Sequence, residues 1–349
     1  MKKNLWMLGA AVAALTSCTE SEVVDVPESR VISFQSYVDN GTRAVHQVNK
    51  DNIRNFYVFG WRQVGNGTFN DPVLSNVHVS STNGTVWGYS PHAYWQTNST
   101  YRFAGYANGG IVNQGDDCGL ANENVGYNAD TDVVTFTNYS VSDKDLIVAI
   151  SGDKVIGNTI GVPGTVDMSF RHMLSMVKFT FLNASGNSTL KIKNLKINNL
   201  DMTATGTFTY LTKKAEWTID ATRNEQCSIL SNESVLSVES EQSNSVDCLV
   251  IPQNSNGPSV SFTAETYDNN GDLHDSKNYT ANLTIPEVGV GTMHTNWINS
   301  FIYNYQITIG ETLSSIVFNV TTVEPWLTDY NDDDNHENDN ITINPSVSN

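Results

Sequence analysis

The segment Ile302-Tyr303-Asn304-Tyr305-Gln306-Ile307-Thr308-Ile309 alternates strictly from Tyr303 onward. Apolar or aromatic side chains exchange one for one with Asn304, Gln306 and Thr308. Successive side chains of a strand point to opposite faces, so this segment reads as a strand with one dry and one wet face. The same period recurs in Met176-Val177-Lys178-Phe179-Thr180-Phe181 and in Val260-Ser261-Phe262-Thr263-Ala264. It recurs again in Ile53–Phe59, Tyr101–Ala104 and Val133–Thr137. Turn signals such as Asn66-Gly67, Asn83-Gly84 and Asn269-Asn270-Gly271-Asp272 separate the runs. No long stretch sustains a helical period. The reading is an all-β protein built from two antiparallel β-sandwiches in tandem.

Composition fits that reading. The chain has 349 residues, 39% of them hydrophobic and 10% aromatic, enough to bury a core and to exclude global disorder. Charged residues are only 16%, and 19 Lys+Arg stand against 37 Asp+Glu, a formal charge of −18. A body this acidic repels phosphate backbones, which argues against nucleic acid as a partner.

The first residues form a processing signal. Lys2 and Lys3 precede an apolar run from Leu5 to Leu15, too short to span a bilayer, which needs ~20 residues. Leu15-Thr16-Ser17-Cys18 resembles a bacterial lipobox, in which the Cys18 thiol is acylated and becomes the new N-terminus. The alternative is a plain signal peptide with an incidental cysteine. Each buried CH₂ of an acyl chain contributes ~0.8 kcal/mol, so a multiply acylated Cys18 is a firm anchor. Removal of residues 1–17 takes away two lysines, and the charge becomes 17 − 37 = −20. The acidic start Thr19-Glu20-Ser21-Glu22 resembles a surface-export signal.

The expected organisation is a signal peptide (1–17), a lipidated propeptide carrying a first strand (18–43), and a sandwich over 44–164. A second sandwich over 165–330 and an acidic linker with a C-terminal strand (331–349) complete it. The boundary is drawn at the Gly- and Pro-rich loop Gly157–Gly164. In the tail, Asp332, Asp333, Asp334, Glu337 and Asp339 repel one another and read as an extended spacer. They lack the Gly and Glu spacing of a calcium loop.

Chemistry-bearing patterns are few. Ser175-Met176-Val177-Lys178 fits S-x-x-K, but that chemistry needs a helix start, and here Ser175 and Lys178 fall on opposite faces of a strand. His172 beside an apolar strand reads as a hydrogen-bonded structural residue. Trp87-Gly88-Tyr89-Ser90-Pro91-His92-Ala93-Tyr94-Trp95 reads as core; exposed, its rings would stack on sugars. Beyond Cys18 the cysteines are Cys118, Cys227 and Cys248. Their number is odd, Cys227 and Cys248 are a candidate bridge, and no zinc-ligand spacing occurs. No enzyme, metal or cofactor is expected.

The two ends share a pattern. Ile32, Phe34 and Val38 lie on one face of a short strand with Ser36 between them. Ile341, Ile343 and Val347 repeat that spacing, with Pro345 in the Ser36 place. The tail can donate its strand to another subunit or add an edge strand to its own domain.

Several stretches together resemble the fimbrillins, the subunits of Bacteroidales type V pili. They are Ile32-Ser33-Phe34 leading to Gly41-Thr42-Arg43-Ala44, Tyr94-Trp95 followed by Tyr101–Tyr106, and Asp145-Leu146-Ile147-Val148-Ala149. They continue with Val166–Ser175, Val250-Ile251-Pro252-Gln253, and Trp297 ahead of Tyr303–Ile307. The resemblance implies transthyretin-like sandwiches, export to the outer membrane as a lipoprotein, and cleavage after an arginine. It further implies assembly with other fimbrial subunits by strand exchange, and a role in adhesion. The expected cut is Arg43–Ala44; Arg30 is the rival, and cutting there would leave the first strand in place. The departure from the family pattern is Trp297-Ile298-Asn299-Ser300, where many relatives keep a glycine.

Overall fold

The computed structural model describes residues 30–38, 48–49, 51–111, 118–159, 164–186, 188–219, 224–285, 296–310, 313 and 316–325. Cys18, Arg43, Ala44, Ile341, Ile343 and Val347 lie outside the described residues.

All regular elements among the described residues, apart from a single 3₁₀ position at Arg30, are β, in four sheets. Sheet 1 runs, edge to edge, β1 (Phe34–Val38), β9 (Val166–His172), β7 (Leu146–Ile150), β4 (Ser99–Asn108), β2 (Asn55–Val64) and β3 (Asp71–Ser80). Short β8 (Lys154–Ile156) also pairs with β4. Sheet 2 runs β13 (Ala215–Thr218), β12 (Thr203–Thr209), β6 (Val133–Ser140) and β5 (Val125–Asn128). Sheet 3 runs β16 (Ser243–Val250), β10 (Ser175–Asn183), β19 (Phe301–Ile309) and β20 (Ile316–Pro325). Sheet 4 runs β14 (Glu225–Ser228), β11 (Thr189–Leu200), β17 (Ser259–Tyr267) and β18 (Leu273–Asn282), with β15 (Leu236–Val238) also on β11.

Two features differ from the sequence expectation. The sheets are not purely antiparallel: β1–β9 and β10–β19 are parallel. Parallel neighbours need a long crossover, and both pairs join strands more than a hundred residues apart. Nor do the sheets divide at residue 164. The stretch Gly157–Gly164 falls in sequence between β8 and β9, both in sheet 1, and β12 from beyond it pairs with β6. A Gly- and Pro-rich stretch marks a turn; whether the chain then leaves the sheet depends on which edge is free to pair.

Three cores follow. Sheets 3 and 4 pack through Phe179, Phe181, Tyr305 and Ile307 against Ile192, Ile197, Val260 and Phe262. Sheets 1 and 2 pack through Tyr106, Leu146 and Val148 against Val134, Phe136 and Phe208. That second core continues into Met176, Leu249 and Ile302 at the ends of sheet 3 strands. The third core lies on the other face of sheet 1, where Phe56, Phe103, Met168 and Phe170 meet Ile32, Phe34, Val48 and Trp95. Sheet 1 is therefore covered on both faces, which is why every residue of β7 is buried. Gly105 serves this double burial. A Cβ there would lie 2.7 Å from Met168 Cε and 3.2 Å from the Tyr57 carbonyl oxygen, so a larger residue would have to displace the Met168 side chain and crowd the β2 backbone.

Candidate functional site: the edge strand β1 and its bed

β1 is a short edge strand with an apolar underside. It is held on two sides. Ahead of it, Trp95 N–H donates to the Arg30 carbonyl at 2.9 Å and Ile32 N–H to the Ala93 carbonyl at 2.9 Å. The Tyr89 hydroxyl donates to the Ile32 carbonyl at 2.7 Å. Burial pushes the Tyr89 pKa up, so it stays a neutral donor at ordinary pH. The chain then changes partner. Val166 N–H donates to the Ser33 carbonyl at 2.7 Å, and the parallel register runs from Phe34 opposite Val166 to Val38 opposite Phe170. Gln35 adds a side-chain hydrogen bond to Asp167.

Underneath, Ile32, Phe34 and Val38 are 0%, 4% and 2% exposed. The Phe34 ring meets Phe56, Tyr89 and Phe103 edge-on, with centroids 6.3, 5.5 and 5.7 Å away. Full burial of such a side chain contributes ~1.5–3 kcal/mol, so the three together contribute about 5–9 kcal/mol before ordering costs. Ser36 interrupts the stripe; its buried hydroxyl has no hydrogen-bond partner among the described residues. Lifting β1 away would uncover Phe56, Phe103 and Phe170 and free the outer edge of β9.

The base of this groove is fixed by a buried pair. His172 Nδ1 lies 2.8 Å from Asp145 Oδ2, both side chains fully inaccessible. The same oxygen accepts Val48 N–H at 3.1 Å, so the chain that follows β1 is tied to β9 through one carboxylate. The His172 carbonyl accepts the Ser300 hydroxyl at 2.9 Å, and Ser300 N–H reaches the Leu174 carbonyl at 2.9 Å. Ser300 has φ of 63°, the left-handed conformation that glycine adopts freely. Here its side chain bonds the neighbouring strand instead. Farther on, Gln253 exchanges hydrogen bonds with the Asp201 backbone at 3.0 Å and accepts Trp297 N–H at 2.8 Å. Trp297 Nε1 donates to the Tyr305 hydroxyl at 3.1 Å, and that hydroxyl donates to the Leu283 carbonyl at 2.7 Å.

Most of the sequence motifs thus fall on strand junctions. His172 is the structural residue expected; its partner Asp145, distant in sequence, was marked only by the family stretch Asp145–Ala149, with nothing to signal the pairing. Ser175 is buried on β10 with its hydroxyl donated to the Ile298 carbonyl at 2.7 Å, while Lys178 is half-buried three residues along the same strand. Trp95 is 2% exposed and meets Tyr101 edge-on at 4.9 Å; Trp87 rests 4.9 Å from Phe56. The core reading holds for Trp95 and in part for Trp87 and Tyr89, which are half-buried, while His92 and Tyr94 of the same cluster are exposed. Tyr89, which pins β1, sits in that cluster, but its role depends on a contact that sequence spacing does not give. Among the described residues no group of three or more His, Cys, Asp or Glu side chains could hold a metal ion.

The four sheets define an all-β protein of sandwich type, with an N-terminal edge strand seated on an apolar bed. The fimbrillin-like family model matches residues 42–326, and the chain belongs to that family. It is accordingly a fimbrial subunit, a structural, non-enzymatic protein of a cell-surface fimbria. Among curated proteins none matches. Similar solved structures include a fimbrial protein from Bacteroides vulgatus, at 15% identity and TM-score 0.46, covering 85% of this chain and 99% of that one. A fimbrial assembly protein from Parabacteroides distasonis is 11% identical at TM-score 0.41, covering 84% and 96%. The tip fimbrial protein of Porphyromonas gingivalis with a C-terminal truncation is 9% identical at TM-score 0.36, covering 83% and 99%.

Proposed function

We propose that this subunit is exported as an outer-membrane lipoprotein acylated at Cys18, cut between Arg43 and Ala44, and polymerised by strand exchange supporting adhesion. In this reading the cut releases β1, and the tail strand of a neighbouring subunit takes its place, with Ile341, Ile343 and Val347 entering the pockets of Ile32, Phe34 and Val38. The partners are other fimbrial subunits, identical or accessory. The observation that carries the proposal is the seating of β1. With Ile32 just ahead of it, this edge strand carries a stripe of three buried side chains, and its covalent link onward into the body runs through the segment that holds Arg43. Vacating its place leaves a backbone edge and an apolar bed, which β-augmentation can fill. The Ser36 hydroxyl, buried without a partner among the described residues, makes β1 a suboptimal occupant.

Strand donation is favoured over a glycan-binding monomer because the rings that would stack on sugar, Trp87 and Trp95, pack against Phe56 and Tyr101. The test is incubation of the purified full-length precursor with an arginine-specific protease. An N-terminus at Ala44 together with a ladder of polymers supports the reading. A mature N-terminus at Val31, or a cleaved protein that stays monomeric at high concentration, overturns it.

A further inference from the structure

We propose that Cys227 and Cys248 form a disulfide that staples the open side of the sandwich made by sheets 3 and 4. β14 and β16 are both edge strands, one in each sheet. Cys227 sits opposite Ile197 of β11, and Cys248 opposite Val177 of β10. Residues directly opposite in a ladder point to the same face. Ile197 and Val177 both belong to the core between these two sheets. Both cysteines therefore point inward, from facing edges of facing sheets, and both pack against that core. They line one cavity of about 340 Å³ with Ser228 and Asp247.

The two thiols also interact with each other, and unequally. The Cys248 thiol lowers the pKa of Cys227 through a hydrogen bond, while that interaction and burial push Cys248 well up. The two sulfurs are therefore placed so that one can attack a donor disulfide and the other resolve it, and the lowered pKa favours Cys227 as the first. The remaining described cysteine, Cys118, is 1% exposed in the core beneath β1 and does not compete.

The oxidant is a disulfide, either a small-molecule one or that of a thiol oxidase in the cell envelope. Cys227 loses its proton and attacks one sulfur of that disulfide. A mixed disulfide forms and one thiolate leaves. Cys248 then gives up its proton and attacks Cys227 Sγ, expelling the second thiolate. Two thiols of the protein are oxidised, the donor disulfide is reduced to two thiols, and the two protons go to the departing sulfurs. A cell-surface location supplies the oxidising conditions under which such bridges persist.

The test uses the full chain, treated with oxidised glutathione or with dithiothreitol and digested without reduction. The expected result is one linked peptide pair holding Cys227 and Cys248, absent after dithiothreitol. The oxidised chain should melt roughly 6–12 °C above the reduced one. Cys248→Ser should arrest the reaction with glutathione held on Cys227. Recovery of both residues as free thiols, or of wild-type Cys227 as a stable glutathione adduct, overturns the proposal, as does a linked pair with an unchanged melting temperature.

Discussion

Phe34→Ala removes the side chain at the centre of the β1 stripe. Phe34 is 4% exposed and its ring is held edge-on by Phe56, Tyr89 and Phe103. Truncating a buried phenylalanine costs about 3–5 kcal/mol, the loss of three edge contacts included. Were β1 an integral part of the sandwich, that loss would fall on global unfolding. An edge strand tied mainly through its own ladder to β9 opens locally, and the loss falls on that opening. At 1.4 kcal/mol per factor of ten, β1 should open about 100- to 4,000-fold more often. Hydrogen exchange of the intact chain by mass spectrometry reads this directly. Peptides over 31–38 and 166–172 should exchange faster by that factor, while peptides over 176–183 and 301–309 stay as in the wild type. A uniform acceleration across all four peptides would refute the idea that β1 is a separable element, and no acceleration would refute the packing estimate.

Ser36→Ala should act in the opposite direction. It removes a buried hydroxyl that has no partner among the described residues, a burden of about 1–3 kcal/mol, and should slow exchange of the 31–38 peptide at least fivefold. Asp145→Ala leaves His172 and Val48 N–H without their shared acceptor; a loss of about 3–5 kcal/mol is expected in denaturant titration, and a loss under 1 kcal/mol would contradict the structural role. Ile343→Asp should stop polymer growth while leaving the circular-dichroism spectrum unchanged, and normal filaments from this variant or from a chain ending at Asn340 would remove the tail from the proposed exchange. Burial raises the pKa of Tyr127, Tyr139, Tyr303 and Tyr305. A raised folded-state pKa contributes stability that is complete below the unfolded value of about 10 and is lost as pH rises above it. The tyrosinate absorbance of these four should therefore appear only together with loss of the β spectrum, above about pH 10; their ionisation in a still-folded chain would contradict their burial.

Much of the architecture is legible in the chain. The alternation in 302–309 and 176–181 becomes β19 and β10, with Tyr303, Tyr305, Ile307, Phe179 and Phe181 buried as their phase requires. The Ile32, Phe34, Val38 stripe likewise faces a core. Period two works because the pleat ties each side chain to a face, whatever the partner strand is. His172 as a structural residue was legible for the same reason: apolar surroundings on a patterned strand leave few other places for such a group. The aromatic cluster forms no strand, and it divides into a buried Trp95 and an exposed Tyr94.

What the tertiary structure alone decided is which strands meet, and in which direction. Phe34 pairs with Val166 in parallel, and Gly206 of β12 lies opposite Phe136 of β6 across the expected boundary at 164. Ladder hydrogen bonds are made by backbone groups that nearly every residue carries, so no side chain encodes its partner. The burial phase survives either strand direction and any even shift of register. Asp145 finds His172, and Cys227 comes to face Cys248, only because packing the sheets brings those positions together. The sequence by itself determined the strands, their inner faces and the family; the choice among edges, and with it the groove under β1, was settled by the fit of whole sheets against one another.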